Sequence, residues 1–165
     1  MNKIKGYNKS DWKIGVISDT HGLLRPEVLD AFQGVELILH AGDIGGDDIL
    51  IELQAIAPVL AVRGNMDYGA WMEDIPASRE VMLGRKRIFL VHDPAHINVN
   101  PDDNKFQGII FGHTHQPHKE IHKGILMLNP GSAGNRRKNY PVSLAIVKIR
   151  GERMDAELIE LPCGR

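Results

Sequence analysis

The sequence predicts an α/β fold in which two mixed β-sheets pack face to face with helices outside, a four-layer α/β/β/α sandwich. The first part of the chain alternates short β-branched runs with helical patterns, as parallel βαβ units do. The part after Tyr68 instead contains closely spaced strand pairs joined by glycine turns. At 165 residues the chain has the size of one domain, which we expect to span residues 1–165.

The first sheet is predicted from three apolar, β-branched runs with helical patterns between them. The predicted strands are residues 12–18, 35–40 and 58–62. Pro58 fits only at the start of its strand, because proline cannot donate to a sheet. Residues 25–32 are predicted as a helix, since Pro26 stands near its start and Gly34 just past its end. Residues 47–57 repeat the helical spacing of apolar side chains, so the strands of this half should be parallel.

The second half of the chain is predicted to be mostly antiparallel. The strand pairs are residues 79–83 with 87–91, 120–122 with 125–128, and 143–149 with 157–161. Residues 109–111 form one further predicted strand. Pro94 and Pro101 argue against a full helix in the segment that leads to Phe106. We therefore expect a parallel half followed by a meander.

Composition and charge exclude several classes of function. The formal charge is −1, from 20 basic and 21 acidic residues, so we expect no binding of long nucleic acid and favour a small substrate. Cys163 is the single cysteine, which excludes an internal disulfide and a thiolate metal cluster. The N-terminal residues lack the apolar segment of a signal peptide, and no later stretch is apolar enough to span a bilayer. We expect a soluble cytoplasmic protein without membrane contacts.

Side chains that can bind metals follow four of the apolar runs. The motifs are Asp19-Thr20-His21, Gly42-Asp43, Gly64-Asn65-Met66-Asp67 and Gly112-His113-Thr114-His115. Open α/β folds build their sites at the carboxyl ends of strands, so these groups should converge on one pocket. In a random chain of this composition, a Gly-Asn-x-Asp pattern would occur about 0.07 times and a Gly-His-x-His pattern about 0.04 times. The first two motifs, in contrast, would often occur by chance.

Each of these residues also has an ordinary structural explanation. Asp19 and Asp43 would most often cap a helix or close a turn, and Asn65 after a glycine is a typical turn residue. A single histidine is usually a hydrogen-bonded core or surface imidazole, and we keep that interpretation for the histidines outside the motifs: His40, His96, His118 and His122. The joint pattern favours a metal site, because every candidate lies just beyond a predicted strand.

With these motifs identified, the chain resembles the calcineurin-like metallophosphoesterases, in particular their small single-domain prokaryotic phosphodiesterase branch. The resemblance runs from Ile14 to about Arg136. The matching segments are Ile17-Ser-Asp-Thr-His-Gly22, Leu39-His-Ala-Gly-Asp43, Val62-Arg-Gly-Asn65, Val91-His92, Phe111-Gly-His-Thr-His115 and Asn129-Pro-Gly-Ser132. It implies a metal-dependent phosphoesterase that hydrolyses small phosphodiesters, or phosphomonoesters, by in-line attack of a metal-bridging hydroxide.

The resemblance also implies how the ligands are divided between two divalent metal ions. One ion would be bound by Asp19, His21, Asp43 and His115. The other would be bound by Asp43, Asn65, His92 and His113. Asp43 bridges, since a carboxylate has two oxygens and can span two cations. Mn²⁺ is our first choice for this sulfur-free site, with Fe²⁺, Zn²⁺ and Ni²⁺ as alternatives, and four imidazoles disfavour Mg²⁺.

The candidate catalytic residues are Asp43 and Asn65, which the resemblance implies, and His96, which it does not; two departures from the family pattern concern the acid. Many relatives place after the asparagine a histidine that protonates the leaving group, but this chain has Met66, whose thioether cannot donate a proton. The chain therefore favours leaving groups that depart as stable anions, or His96 replaces the missing acid. Where the family branch has His-Gly-His, this chain reads His92-Asp-Pro-Ala-His96, so His96 also competes with His92 as ligand or substrate contact.

Several alternatives remain open at this stage. Arg136 and Arg137 are either phosphate contacts or solvated loop cations. Trp71 and Met72 are candidates for a homodimer contact. A non-catalytic scaffold or protein-interaction module is the competing function, because a retromer subunit has the same fold and nearly the same motifs. Against it, all seven ligand positions here hold residues that can bind a metal.

Overall fold

The structure is a computed structural model that describes residues 8–103 and 105–163. The N-terminal residues 1–7, for which the sequence predicts no signal peptide, lie outside the described residues. Two five-stranded mixed sheets form a sandwich, which confirms the expected fold class. In the described part of the chain, no helix has the length and apolar character needed to cross a membrane.

The first sheet has the strand order β10-β9-β1-β2-β3. Its strands are β1 (Asp11–Ile17), β2 (Leu37–His40), β3 (Val59–Ala61), β9 (Ser143–Arg150) and β10 (Arg153–Glu160). Strands β1, β2 and β3 are parallel. Strand β9 pairs antiparallel with β1, and β10 pairs antiparallel with β9. The predicted βαβ units are therefore confirmed.

Two short helices cover the outer face of the first sheet. Helix α1 (Pro26–Ala31) begins at its proline, and α2 is Asp47–Gln54. The Phe32 ring that follows α1 lies against Gly15 of β1, where an added Cβ would be 2.8 Å from the ring. This close approach requires glycine, because any larger side chain would push the helix away from the sheet.

The second sheet has the strand order β4-β5-β6-β8-β7. Its strands are β4 (Ser78–Leu83), β5 (Lys86–Val91), β6 (Gly108–Ile110), β7 (His118–His122) and β8 (Ile125–Asn129). The three predicted hairpins are confirmed, but the expected meander is wrong, because β5, β6 and β8 are parallel. Crossover segments return the chain between these strands, so all three end at one edge of the sheet.

The core lies between the two sheets. Along β1, Trp12, Ile14 and Val16 face the second sheet, whereas Ile17 faces the helices, as the two-residue period of a strand requires. Ile97, Val99 and Phe106, from the segment after β5, pack against the outer face of the second sheet, and this segment contains two 3₁₀ turns, Pro94–His96 and Pro101–Asp103. No α-helix occurs in the described part of that segment, which confirms the expectation from its prolines.

Candidate metal centre

The predicted ligands come together at the edge of the sandwich where the parallel strands of both sheets end. They lie after β1, β2, β3, β5 and β6. The seven residues are Asp19, His21, Asp43, Asn65, His92, His113 and His115. Two groups already have ligand atoms within 4.8 Å of one another: Asp19 with His21 and His115, and Asp19 with Asp43 and His92. The parallel direction of β5 and β6 brings the second sheet's histidines to this edge.

The first subsite is formed by Asp19, His21 and His115. Asp19 Oδ1 lies 3.2 Å from His115 Nε2 and 3.8 Å from His21 Nε2, and the two Nε2 atoms are 3.5 Å apart. Ser18 Oγ and the His113 N–H donate to the other oxygen, Oδ2. Oδ1 is buried without a hydrogen-bond partner among the described residues. A buried carboxylate oxygen without a partner costs about 1–3 kcal/mol, and a cation between it and two imidazoles would remove that cost.

The second subsite is formed by Asn65, His92 and His113. Asn65 Oδ1 lies 3.1 Å from His92 Nε2 and 3.1 Å from His113 Nδ1, and these two nitrogens are 3.3 Å apart. His92 Nδ1 lies 2.7 Å from the Ala41 carbonyl, so the Nδ1–H donates there and, in the neutral ring, the Nε2 lone pair faces the subsite, whereas the protonated ring donates from Nε2 to Asp43. The neutral form is the tautomer that a metal ligand needs, and a backbone carbonyl is a usual partner for its second nitrogen.

Asp43 lies between the two subsites. Its Oδ1 accepts a hydrogen bond from the Met66 N–H at 2.8 Å, whereas Oδ2 lies 3.7 Å from His21 Nε2 and 3.3 Å from His92 Nε2. The bridge expected from the sequence used both oxygens of the carboxylate. In the structure a single oxygen, Oδ2, faces both subsites, because Oδ1 accepts the hydrogen bond from the Met66 N–H.

The pKa values of this cluster follow from burial and from the neighbouring charges. Burial raises the pKa of Asp43, but hydrogen bonds from His92 and from the Met66 N–H outweigh it and keep that pKa below its ordinary value. For His92, burial lowers the pKa, but the hydrogen bond to Asp43 and the charge of Asp19 raise it overall. The Asp43 carboxylate therefore stays ionised, the state in which it can bind a cation.

The backbone at the ligands adopts an uncommon conformation. Five ligands have positive φ angles: Asp19 at 55°, His21 at 47°, Asp43 at 53°, His113 at 70° and His115 at 61°. A left-handed conformation costs a residue other than glycine roughly 1–2 kcal/mol. Such strain is typical of functional sites, where the surrounding structure imposes it. Four of the five residues form the i, i+2 pairs Asp19 with His21 and His113 with His115, so the uncommon conformation is concentrated in the two loops that each supply two candidate ligands.

Three buried polar residues hold the ligand loops, a role that was not predicted for them from the sequence. Asp67 accepts the N–H groups of Ile44 and Gly45 after β2 and of Gly64 after β3. Asn129 at the end of β8 donates to the Gly112 carbonyl at 3.0 Å. Asp67 and Asn129 lie inside the motif segments, but most of their partners lie far away along the chain.

His40 is the third of these residues, and its expected role as a packed core histidine is confirmed. Its Nδ1 accepts from the Gly42 N–H, and its Nε2 lies 2.9 Å from Thr20 Oγ1. Burial lowers the pKa of His40 to about 3, although the charges of Asp19 and Asp43 act to raise it. The neutral ring thus connects the loops after β1 and β2.

Two motif glycines are required by close approach to the ligands. A Cβ on Gly64 would lie 2.1 Å from Asp43 Oδ1, and one on Gly112 would lie 2.0 Å from Ser18 Oγ and 2.7 Å from Asp19 Oδ2. The glycines of the rarer motifs therefore let the backbone pass directly against the carboxylates of the centre.

The profile of the calcineurin-like phosphoesterase superfamily domain matches residues 12–152. The chain belongs to this superfamily. A probable metallophosphoesterase of Methanothermobacter thermautotrophicus is 42% identical over 88% of this chain and 91% of its own length. Phosphodiesterase YfcE of Escherichia coli is 30% identical over 82% of this chain and 86% of its own. These relatives support a metal-dependent phosphoesterase, as the sequence predicts.

A solved structure with a similar fold is Vacuolar Protein Sorting 29 of Cryptosporidium parvum. Its TM-score is 0.82 at 20% identity, with 95% of each chain covered. At that identity the likeness shows the calcineurin-like fold alone.

The remaining candidate residues of this phosphoesterase surround the ligands. His96 is exposed and lines a cavity of about 180 Å³ together with Asn65 and His92. The Met66 side chain is 53% exposed. Burial lowers the pKa of His21 more than the Asp43 and Asp19 charges raise it, and the charges of His115 and Arg137 lower it further. Arg136 instead lines a separate cavity beside Leu161.

Proposed function

We propose that this protein hydrolyses small phosphodiesters at a dinuclear metal centre formed by the seven ligands at the strand ends, and phosphomonoesters as second substrates. The position of Asp43 Oδ2 carries this proposal, because the atom lies within 3.7 Å of His21 Nε2 and 3.3 Å of His92 Nε2. Imidazoles on both sides of one carboxylate oxygen are the arrangement that two neighbouring cations need. The buried, unpartnered Asp19 Oδ1 supports the same interpretation.

The residues that would hold the two ions fall into the two subsites described above. Asp19, His21 and His115 would bind one ion, Asn65, His92 and His113 the other, and Asp43 both. The chemistry that bound divalent ions supply is the acidification of a water molecule and the neutralisation of charge on the phosphoryl oxygens. Mn²⁺ is the ion that we propose for this mixture of imidazole, carboxylate and amide, with Fe²⁺, Zn²⁺ and Ni²⁺ as alternatives.

The exposure of the ligands supports a direction for substrate entry. Asn65 and His113 are exposed, whereas Asp19, His92 and His115 are buried. The phosphoryl group therefore approaches from the side of Asn65 and His113. The Asn65 amide, which has a nitrogen as well as its ligand oxygen, orients a phosphoryl oxygen by donating a hydrogen bond to it.

Hydrolysis also requires a proton for the leaving group. The attacking water releases one proton to the solvent as its oxygen bonds to phosphorus, the P–O bond to the alcohol breaks, and the alcohol oxygen takes the electron pair and one proton from an acid. Met66 cannot provide that proton. We assign the role to His96, because its cavity is shared with two ligands of the second subsite. A histidine is suited to proton transfer near neutral pH.

The test measures hydrolysis of bis(4-nitrophenyl) phosphate and 4-nitrophenyl phosphate with and without added Mn²⁺. We expect metal-dependent turnover with a preference for the diester. Asp43→Ala should abolish it, whereas the matched control Asp155→Ala removes an exposed carboxylate of β10 and should leave it unchanged. Elemental analysis of the loaded wild type should find two metal ions per chain. Turnover that survives Asp43→Ala, or less than one ion per chain, would overturn the dinuclear centre.

A further inference from the structure

The cavity beside the second subsite has a defined size and lining. Its volume is about 180 Å³, and it shares Asn65 and His92 with the second subsite. Ala77 and Val91 provide apolar wall, and Arg63, Asp93 and His96 provide polar groups. A cavity of this volume admits a substituted phenyl ring or a group of similar size. Since it opens directly from the ligands, one alcohol group of a bound diester would extend into it.

The two charged side chains of this cavity, Asp93 and Arg63, differ in their capacity to bind a ligand. Asp93 Oδ1 accepts the Ala95 N–H of the 3₁₀ turn at 2.8 Å, and Oδ2 lies 3.8 Å from His113 Nε2. Its carboxylate is therefore directed at the turn and at a ligand histidine. Arg63 donates from Nη1 to the Ile75 carbonyl at 3.1 Å, and its N–H donates to the Pro76 carbonyl. A guanidinium has four further N–H donors, so this anchored side chain keeps capacity for a ligand.

Arg63 is held in a favourable position for substrate selection. It immediately precedes Gly64 and the ligand Asn65, and two carbonyls of the segment after the 3₁₀ turn at Ala70–Met72 fix its backbone and one Nη atom. A side chain that is already anchored loses little conformational entropy when it binds a second group. Its charge is permanent.

We propose that this cavity is the subsite for an alcohol group that carries its own negative charge, a carboxylate or a phosphate, and that Arg63 selects for that charge. The proposal rests on the proposed phosphodiesterase function. The preferred substrates are then diesters of which one alcohol is a small, singly substituted anionic group. Arg63 acts as a specificity residue, and the metal ligands act on the phosphoryl group.

The test compares two diesters of similar leaving-group pKa, methyl 3-carboxyphenyl phosphate and methyl 3-carbamoylphenyl phosphate. For the wild type we expect kcat/KM to be about tenfold higher for the carboxylate, as one charge-assisted contact at a partly open site would produce. Arg63→Met should remove the preference by raising KM for the anionic ester alone. Arg63→Lys should restore part of it, and the control Arg85→Met, at the exposed β4–β5 turn, should retain it.

A second measurement separates this inference from the proposed hydrolysis. Binding of 3-hydroxybenzoate and 3-hydroxybenzamide is followed by shifts of the Ala77 and His96 amide signals in NMR spectra of wild type and Arg63→Met. We expect tighter binding of the carboxylate to the wild type alone. If neither ester is hydrolysed but this binding difference appears, the hydrolase proposal fails and the anionic subsite stands. Equal binding of the two phenols, or a preference that survives Arg63→Met, would overturn the subsite.

Discussion

Replacing Asp67 by alanine removes a buried carboxylate that joins the loops after β2 and β3. Its two oxygens accept three backbone N–H groups, those of Ile44 at 2.9 Å, Gly45 at 3.0 Å and Gly64 at 2.9 Å. The residue is 6% exposed, so water replaces the carboxylate only partly. The alanine variant therefore leaves N–H donors without full compensation in the two loops that carry Asp43 and Asn65.

The cost can be worked out from these three contacts. A hydrogen bond to a charged group contributes about 1.5–3 kcal/mol, and three of them set an upper bound of roughly 9 kcal/mol. Loop relaxation and entering water recover part of this, so we expect Asp67→Ala to lower the free energy of unfolding by about 3–5 kcal/mol. Asp67→Asn keeps one acceptor oxygen but turns an amide N–H₂ toward an N–H donor, and it should cost about 2 kcal/mol.

Urea unfolding of the metal-free protein, followed by circular dichroism, measures the change in the free energy of unfolding. Titration of Mn²⁺ into the folded variants measures the effect on the centre, for which we expect roughly 10–100-fold weaker binding, as for other groups that orient ligands. Asp155→Ala serves as the exposed-carboxylate control in both measurements. The reasoning is refuted if Asp67→Ala loses less than about 1 kcal/mol and binds metal as wild type does.

Two further predictions concern pH and the leaving-group acid. The pKa of His40 is about 3 in the fold, below its ordinary value of 6.5, so the unfolded chain takes up a proton that the folded chain refuses. Stability of the metal-free protein should therefore fall by up to ~1.4 kcal/mol per pH unit as pH decreases from about 6.5 toward about 3. His40→Gln should lack this part of the slope in urea unfolding at several pH values, and an unchanged slope would contradict the assignment. His96→Ala should slow hydrolysis of diesters with poor leaving groups on the order of 10²-fold and steepen the plot of log kcat/KM against leaving-group pKa. A variant plot that keeps the wild-type slope would contradict the assignment of His96 as the acid.

Local patterns predicted the elements well, and they identified candidate ligands that the fold brings together. Apolar runs, glycine turns and prolines act over a few residues, which is why the strand and helix positions, the three hairpins and the non-helical segment after His92 were accessible from the sequence. The side-chain types of the ligand positions were accessible as well, because the chemistry of carboxylate, imidazole and amide does not depend on the fold. Even the weak first two motifs became informative once the rarer ones supported them.

Long-range contacts decided the rest. The sequence suggested a meander, and only the packed sheet makes β5, β6 and β8 parallel, which brings His92 and His113 to the same edge. Only the fold assigns Asp43 Oδ1 to a backbone N–H and Oδ2 to both subsites, and only the fold gives Asp67 its three donors from two loops. Strand direction and partner choice depend on the packing of segments far apart in the chain. The sequence by itself therefore determined which groups could bind metal, and the tertiary structure determined which atoms face one another.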